Sequence, residues 1–188
     1  MNYEETLQKL ISGDFDDTTP EEREKVIEQI IHASALAASV LAISPVPFIE
    51  TPLQVTMVRA IGKVYGYTLD KKVIFEILSA IGGSVMLRQL IRFIPGVGTI
   101  ANISKIYGTT WAMGVTADYY FRQNREVVKE ELMRMFKMTQ KEKMVEKQKQ
   151  LEEGRIAERL QTLWDLFQKN LISQEEYRKK REEILARL

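Results

Sequence analysis

Apolar side chains recur at helical spacing along most of this 188-residue chain. Thr19, Pro20 and Glu22 are the residue types favoured at the N-cap, the first and the third position of a helix. The first helix is predicted to start there. The apolar spacing predicts five helices, 19–45, 51–66, 70–82, 84–95 and 99 to at least 138, and all but the last end at Pro or Gly. No run alternates for long enough to be a strand, so the predicted fold class is all-α.

Prolines and glycines mark the places where this predicted bundle turns. Two Pro-rich segments lie between helices, and a glycine follows the second helix as a left-handed C-cap. These residues are Pro45, Pro47, Gly66, Pro95, Gly96 and Gly98. The pattern therefore predicts a helical bundle built from two Pro/Gly-turned hairpins.

Beyond Met138 the chain becomes strongly charged with few apolar positions. We interpret 139–155 as a long charged connecting helix or solvated linker, because it lacks a wide apolar face. Apolar spacing then predicts a C-terminal helix-turn-helix, with a turn at 170–172 and a capping box of Ser173 and Glu176. The predicted units are 1–18 (a short helix and an acidic loop), 19–138 (the core), 139–155 and 156–188.

Charge is distributed unevenly although the formal net charge is only +1. Residues 1–28 carry three basic and nine acidic side chains, 29–121 carry seven and four, and 122–188 carry seventeen and thirteen. The sudden rise in charge density places a boundary near residue 121. The near-neutral balance gives no overall attraction for nucleic acid, so no nucleic-acid partner is predicted.

The residue types that most enzymes and metalloproteins use are scarce in this chain. It has no cysteine and a single histidine, His32, which excludes disulfides, thiolate sites and the usual zinc ligand sets. We interpret His32 as a hydrogen-bonded helix residue, and Trp111 as a packing residue. The sequence thus predicts a protein that is not an enzyme, with no catalytic residue, no cofactor and no metal.

One charge-free segment raises the question of a membrane. Gln29 to Ile49 spans 21 residues, nominally enough for a bilayer core of about 30 Å at 1.5 Å per residue. Its last residues include Pro45 and Pro47, and Ala and Ser fill much of the remainder. We interpret it as a buried core helix; peripheral membrane contact and a true span are the alternatives. Without a secretory signal at the N-terminus, the expected location is cytoplasmic, and peripheral attachment to the inner face of the membrane is the alternative.

Part of the chain resembles a known family, the YcjF-like domain of unknown function, over roughly residues 25–121. The matching features are the turn residues above together with Met57, Ile61, Tyr65, Thr110 and Gly114, the last two forming a Thr-x-x-x-Gly motif that we group with the motif turns. The resemblance implies a helical domain, often membrane-associated, that frequently accompanies an Era-like small GTPase. Here it implies a separate small GTPase as a partner.

The C-terminal segment resembles the SHOCT module, a short helical hairpin attached to many bacterial proteins and thought to mediate oligomerisation. The match covers the leucine repeat from Leu160 and the segment 170–185. A hairpin of about 30 residues cannot bury enough apolar surface alone, so its apolar side chains are expected to need a partner surface. The predicted self-association residues are Leu160, Leu163, Trp164, Phe167, Leu171, Ile172, Tyr177 and Ile184.

Three functions follow as hypotheses. The first is a non-catalytic helical scaffold of unknown protein partner, with a homo-oligomer formed through the C-terminal hairpin. The second is a membrane-associated anchor or regulator of a separate Era-like GTPase. The third is an enzyme or small-ligand carrier that uses a cavity between the Ala- and Gly-rich helices.

We predict no measurable binding of GTP or ATP. The one Gly-Lys pair, Gly62-Lys63, has Met57 where a phosphate-binding loop needs glycine and Val64 where it needs a hydroxyl. Calorimetric titration with magnesium, run beside a phosphate-loop protein as positive control, is the measurement. A dissociation constant below about 10 μM, which corresponds to a binding free energy of roughly −7 kcal/mol, would contradict the prediction.

Overall fold

Helices make up the regular secondary structure of the residues that the computed structural model describes, which are 6, 8–9, 12, 18–41, 50–70, 74, 77, 99–153 and 156–186. Within them lie α1 (Arg23–Leu41), α2 (Glu50–Val64), α3 (Thr99–Arg122), α4 (Lys129–Glu153), α5 (Ile156–Gln168) and α6 (Gln174–Leu185), and no strand. The all-α prediction is confirmed. Pro45, Pro47, Pro95, Gly96 and Gly98 lie outside the described residues, as do the helices predicted at 70–82 and 84–95 except for Asp70, Ile74 and Ile77.

Three helices end in the same local structure. After α2, Gly66 has a φ of 80°, and the amide of Tyr67 donates to the carbonyl of Gly62 at 2.9 Å. This is the Schellman arrangement, in which a left-handed residue lets the chain satisfy the last carbonyls of the helix. Asn124 after α3 and Asn170 after α5 repeat it with φ values of 51° and 54°. The left-handed cap predicted at Gly66 is therefore confirmed.

The single helix predicted from Thr99 to Met138 is wrong. The structure divides it into α3 and α4, with a turn over residues 123–125. Asn124 and Arg125 both have positive φ, 51° and 70°, a combination that no right-handed helix contains. The helical hydrophobic pattern continues on both sides of the turn, which is why periodicity alone did not reveal it.

Helix α3 lies antiparallel to α4 along most of its length. Tyr119 donates to Glu131 at 2.8 Å near the connecting turn, and Gln140 donates to Thr109 Oγ1 at 2.7 Å further along. Helix α3 also packs against α1, α2 and α5. It is therefore the helix around which the others are arranged.

Gly108 is the point of closest approach between α3 and α4. A Cβ placed there would lie 2.8 Å from the backbone nitrogen of Met144 and 2.9 Å from the carbonyl oxygen of Gln140. Because both atoms belong to backbone, no side-chain rotation could relieve the overlap. Only glycine lets the two helix backbones meet at this distance.

Residues 139–153 are helical, which was one of the two predicted alternatives, but they are not a solvated connection. They form the C-terminal part of α4 and pack against α3. Lys147 is 2% exposed and Leu151 is fully buried. The segment has a narrow buried stripe because the close approach at Gly108 brings its backbone against α3.

Two apolar clusters hold the bundle together. The first joins α1, α2 and α3, and it also includes Phe136 of α4 and three residues outside these helices, Leu69, Ile74 and Ile77. The second consists of Ile103 in α3, Leu151 in α4, Ile156 and Leu160 in α5, and Leu185 in α6. The second cluster connects the C-terminal hairpin to the rest of the chain.

The small residues of α1 are buried as a packed helix surface. Ala35 and Ala38 have no exposed area, and the Ser39 hydroxyl donates a hydrogen bond to the Ala35 carbonyl at 2.7 Å. Among the helices of the described residues, none has the length and apolarity needed to cross a bilayer.

Thr110 and Gly114, which we had grouped with the family-motif turns, are not turn residues. Both lie in the interior of α3, where Thr110 has no exposed area. A Cβ at Gly114 would lie 2.6 Å from Cγ1 of Ile31, so this glycine makes room for a side chain of α1. The motif marks helix packing at this position.

We expect Gly108→Ala to lower the free energy of unfolding by about 1–3 kcal/mol, because α4 must move away from α3. Thermal and urea unfolding of the whole chain measure the loss. In a double-mutant cycle, the coupling free energy between this substitution and Met144→Ala should stay below about 0.5 kcal/mol, because the overlapping atoms of Met144 and Gln140 are backbone.

Gly114→Ala is the matched comparison. Its overlap is with the Ile31 side chain, so Ile31→Ala should relieve it and give a coupling of about 1 kcal/mol or more in a double-mutant cycle. Equal coupling in the two cycles would show that the backbone contact at Gly108 does not set the helix spacing.

Candidate interaction surface

The C-terminal hairpin, α5 and α6, is shaped by two local signals. Asn170 ends α5 in the left-handed conformation, and Ser173 caps α6. The Ser173 amide donates to the Glu176 carboxylate at 2.9 Å, and the Glu176 amide donates to Ser173 Oγ at 3.2 Å. The predicted turn and capping box are confirmed. The hydrogen bond from the Ser173 backbone is the main cause that lowers the pKa of Glu176.

One face of the hairpin packs against the bundle. Leu160, Leu163 and Leu185 are 5–6% exposed, and Leu160 and Leu185 contact Ile103 and Leu151 through the second apolar cluster. Ile184 lies against the same cluster. The chain itself thus supplies part of the partner surface that the sequence analysis expected from another molecule.

Nearer the turn of the hairpin, three aromatic rings are in contact. Phe167 and Tyr177 stack with ring centroids 4.8 Å apart, and Trp164 lies 5.9 Å from each of them. We call Trp164, Phe167 and Tyr177 the aromatic ridge. Trp164 keeps 43% of its surface exposed, and Leu171 in the nearby turn keeps 65%. The ridge holds three aromatic rings in fixed contact on the hairpin and leaves apolar area uncovered.

Arg181 supports the ridge from the core side. It is 8% exposed, and its guanidinium lies 6.0 Å from the centre of the Tyr177 ring. Burial raises the pKa of Tyr177, while Arg181 acts in the opposite direction. The ring therefore stays neutral under ordinary conditions and presents an apolar body.

The structure thus divides the eight predicted self-association residues. It gathers Trp164, Phe167 and Tyr177 on one surface and turns Leu160, Leu163 and Ile184 toward the chain's own core. Leu171 is exposed and Ile172 half-buried in the turn. Helical spacing grouped the helical members of this set because they share one stripe: Phe167 is turned only about 20° from Leu160, and Ile184 only about 20° from Tyr177. Spacing does not say how far along this stripe the bundle covers the hairpin.

A second group of polar side chains lies between α1, α3 and α4. The Lys143 ammonium stands 4.9 Å above the centre of the Trp111 ring, and that of Lys147 stands 4.6 Å above Tyr107. His32 meets both rings edge-on, with Nδ1 3.1 Å from the Tyr107 hydroxyl. The sequence analysis missed the two lysines, although their spacing of four residues matches that of the two rings, a signal of one helix lying along another.

This polar group acts as packing rather than as an open site. Cation–π contact compensates for part of the lost hydration of the two ammonium groups. Burial lowers the pKa of Lys147, and burial followed by repulsion from Lys147 lowers that of His32. Burial likewise raises the pKa of Tyr107. The interpretations of His32 as a hydrogen-bonded helix residue and of Trp111 as a packing residue agree with these contacts.

Asp118 is a nearly buried acid of α3, and its charge is already neutralised. It is 8% exposed, accepts a hydrogen bond from the Tyr65 hydroxyl at 2.7 Å and pairs with Arg122 at 2.5 Å. Both carboxylate oxygens are therefore occupied. In the described part of the chain, no three His, Cys, Asp or Glu side chains come together in a way that could hold a metal ion.

Searches against protein-family models, curated proteins and solved structures returned no match for this chain. The YcjF-like and SHOCT resemblances therefore stay predictions from the sequence.

We expect the free energy of unfolding to fall as the pH is lowered from 8 through 6.5. Burial disfavours the imidazolium of His32, with Lys143 and Lys147 adding repulsion and Glu28 opposing it. The folded state thus has a pKa below the unfolded value of 6.5, and the unfolded state binds more protons between the two. Stability from this group is full above the unfolded pKa and is lost as the pH falls through the folded one.

The control is His32→Gln, which does not titrate and can still hydrogen-bond to Tyr107. Urea unfolding of both proteins between pH 8 and 5.5, above the range of most carboxylates, should give a flatter profile for the variant. Parallel profiles would show that His32 is not the titrating group.

Proposed function

We propose that this chain is a non-catalytic helical scaffold that self-associates through the aromatic ridge of its C-terminal hairpin. The observation that carries the proposal is the exposure of Trp164 within a rigid three-ring surface. Exposed tryptophan and tyrosine on a preorganised surface are typical of binding hot spots, because they bury much apolar area while losing little conformational entropy.

A second copy of the chain is the occupant to which the proposal commits. Residues 156–186 contain six basic and six acidic side chains, so two hairpins can approach without net repulsion. Leu160 and Leu185 of the same hairpin already pack against the bundle, which fixes the position of the ridge. The resemblance to SHOCT supports the same function.

The remaining parts of the proposal concern what the protein does not do and where it acts. The ion-paired Asp118 and the hydrogen-bonded His32 support a protein without catalytic or cofactor chemistry. We propose that it acts in the cytoplasm, where a cysteine-free chain loses nothing in a reducing medium. A further protein partner for the helical bundle, for which the YcjF-like resemblance suggests a separate small GTPase, completes the proposal.

We expect Trp164→Ala to weaken self-association by roughly 2 kcal/mol or more, about thirtyfold in the dissociation constant. Light scattering after size-exclusion chromatography over a range of concentrations measures it. Leu171→Ser, at an exposed turn position, is a second variant that leaves the packed face of the hairpin unchanged and should act in the same direction.

Met138→Ala is the matched control, because Met138 is an apolar side chain of α4 that is 67% exposed and lies outside the hairpin. It should leave the mass unchanged. Circular dichroism confirms that each variant keeps its helices. A wild-type chain that stays monomeric at high micromolar concentration would refute the proposal, and so would a dimer indifferent to both hairpin substitutions.

A further inference from the structure

The two sides of Tyr177 on helix α6 differ in what they face. Successive residues of a helix are turned by about 100°, so Arg181 lies about 40° to one side of Tyr177 and Lys180 about 60° to the other. Arg181 and Leu185 are buried, which identifies their side as the one toward the bundle. Lys180 is exposed and therefore lies on the solvent side of the aromatic ridge.

Lys180 shares this solvent side with an acid. Glu176 stands one turn earlier, about 40° beyond Lys180 around the helix, and is also exposed. The two side chains are close enough for Lys180 to lower the pKa of Glu176. Over the first two turns of α6 this side is therefore bordered by one negative and one positive charge, separated by about 6 Å along the axis.

An acid followed by a base along the helix is complementary to the same pair on a second helix that runs antiparallel. When a second α6 runs antiparallel, with a twofold axis at the level of Arg178, the residue at 176 faces 180 of the other copy. Each acid then meets a base on both sides of the axis. A parallel arrangement in the same register would place Glu176 opposite Glu176 and Lys180 opposite Lys180, which is destabilising.

We propose that two copies pair through antiparallel α6 helices, with Glu176 of each against Lys180 of the other and the two aromatic ridges enclosed beside this contact. The inference rests on the proposed self-association and adds its symmetry and orientation. A twofold interface uses the same patch on both subunits, as a single exposed ridge requires. At the usual helix spacing of about 8–10 Å, both charge pairs lie within reach of the second copy.

A competing register would pair Lys179 with Glu183 of the second copy. Lys179 is turned about 200° from Tyr177, on the opposite side of the helix from the ridge. That register would turn Tyr177 away from the second copy, so enclosure of the aromatic ridge favours the pairing of Glu176 with Lys180. Lys179 then serves as a matched control for Lys180, with the same side chain and comparable exposure.

The test uses charge reversal in the full chain. Lys180→Glu leaves two acids at the contact and Glu176→Lys leaves two bases, so each variant alone should dimerise at least roughly tenfold more weakly than the wild type. An equimolar mixture of the two should recover a dimer of wild-type affinity, because both pairs are then attractive. Lys179→Glu should leave the wild-type dimer unchanged. Light scattering gives the masses, and circular dichroism checks that Glu176→Lys, which loses its capping contact with Ser173, keeps α6 helical.

The outcomes separate the two proposals. Recovery in the mixture together with an unaffected Lys179→Glu supports the antiparallel pairing. A dimer that Trp164→Ala dissociates but Lys180→Glu does not would retain self-association and overturn the orientation, as would a mixture that stays monomeric while each variant is folded. A monomeric wild type would overturn both.

Discussion

The contact between the backbones of α3 and α4 at Gly108 is the constraint on which the rest of the structure depends. Because no Cβ intervenes, α4 comes within van der Waals distance of α3 at Gln140 and Met144. That approach sets Leu151 against Ile103 further along the pair, and these side chains form the platform on which the C-terminal hairpin rests. A wider spacing between α3 and α4 would therefore change the position of the hairpin as well.

The same contact explains how charged residues become part of the interior. Once the two backbones meet, Lys143 and Lys147 can extend only along the surface of α3, where the Trp111 and Tyr107 rings lie beneath them. Their ammonium groups stand over the faces of these rings, where cation–π attraction compensates for part of the lost hydration. The bundle thus uses amphipathic lysines where an ordinary core would use leucines, which accounts for a packed helix of such low apolar content.

The hairpin connects this architecture to the proposed function. Its leucines complete the second apolar cluster and its aromatic rings stack nearer the turn, so the bundle acts as a support for the ridge. Preorganised rings lose little freedom on binding, and this favours association through a small surface. The Glu176 and Lys180 charges beside the ridge contribute orientation more than affinity, as exposed charges generally do.

What the sequence by itself determined is local: the helical class, the left-handed cap at Gly66 and the capping box of Ser173 with Glu176, each set by hydrogen bonds within a few residues. The turn at Asn124 was also local, but asparagine occupies left-handed positions less regularly than glycine, so its signal was weaker. Tertiary structure alone decided that Lys147 and Leu160 are buried while Trp164 is exposed. These outcomes depend on contacts between residues dozens of positions apart, such as Thr109 with Gln140, and on a missing side chain at Gly108 that acts on α4 rather than on its own helix. A hydrophobic pattern records how apolar each position is, but the choice of partner is made only when the helices pack.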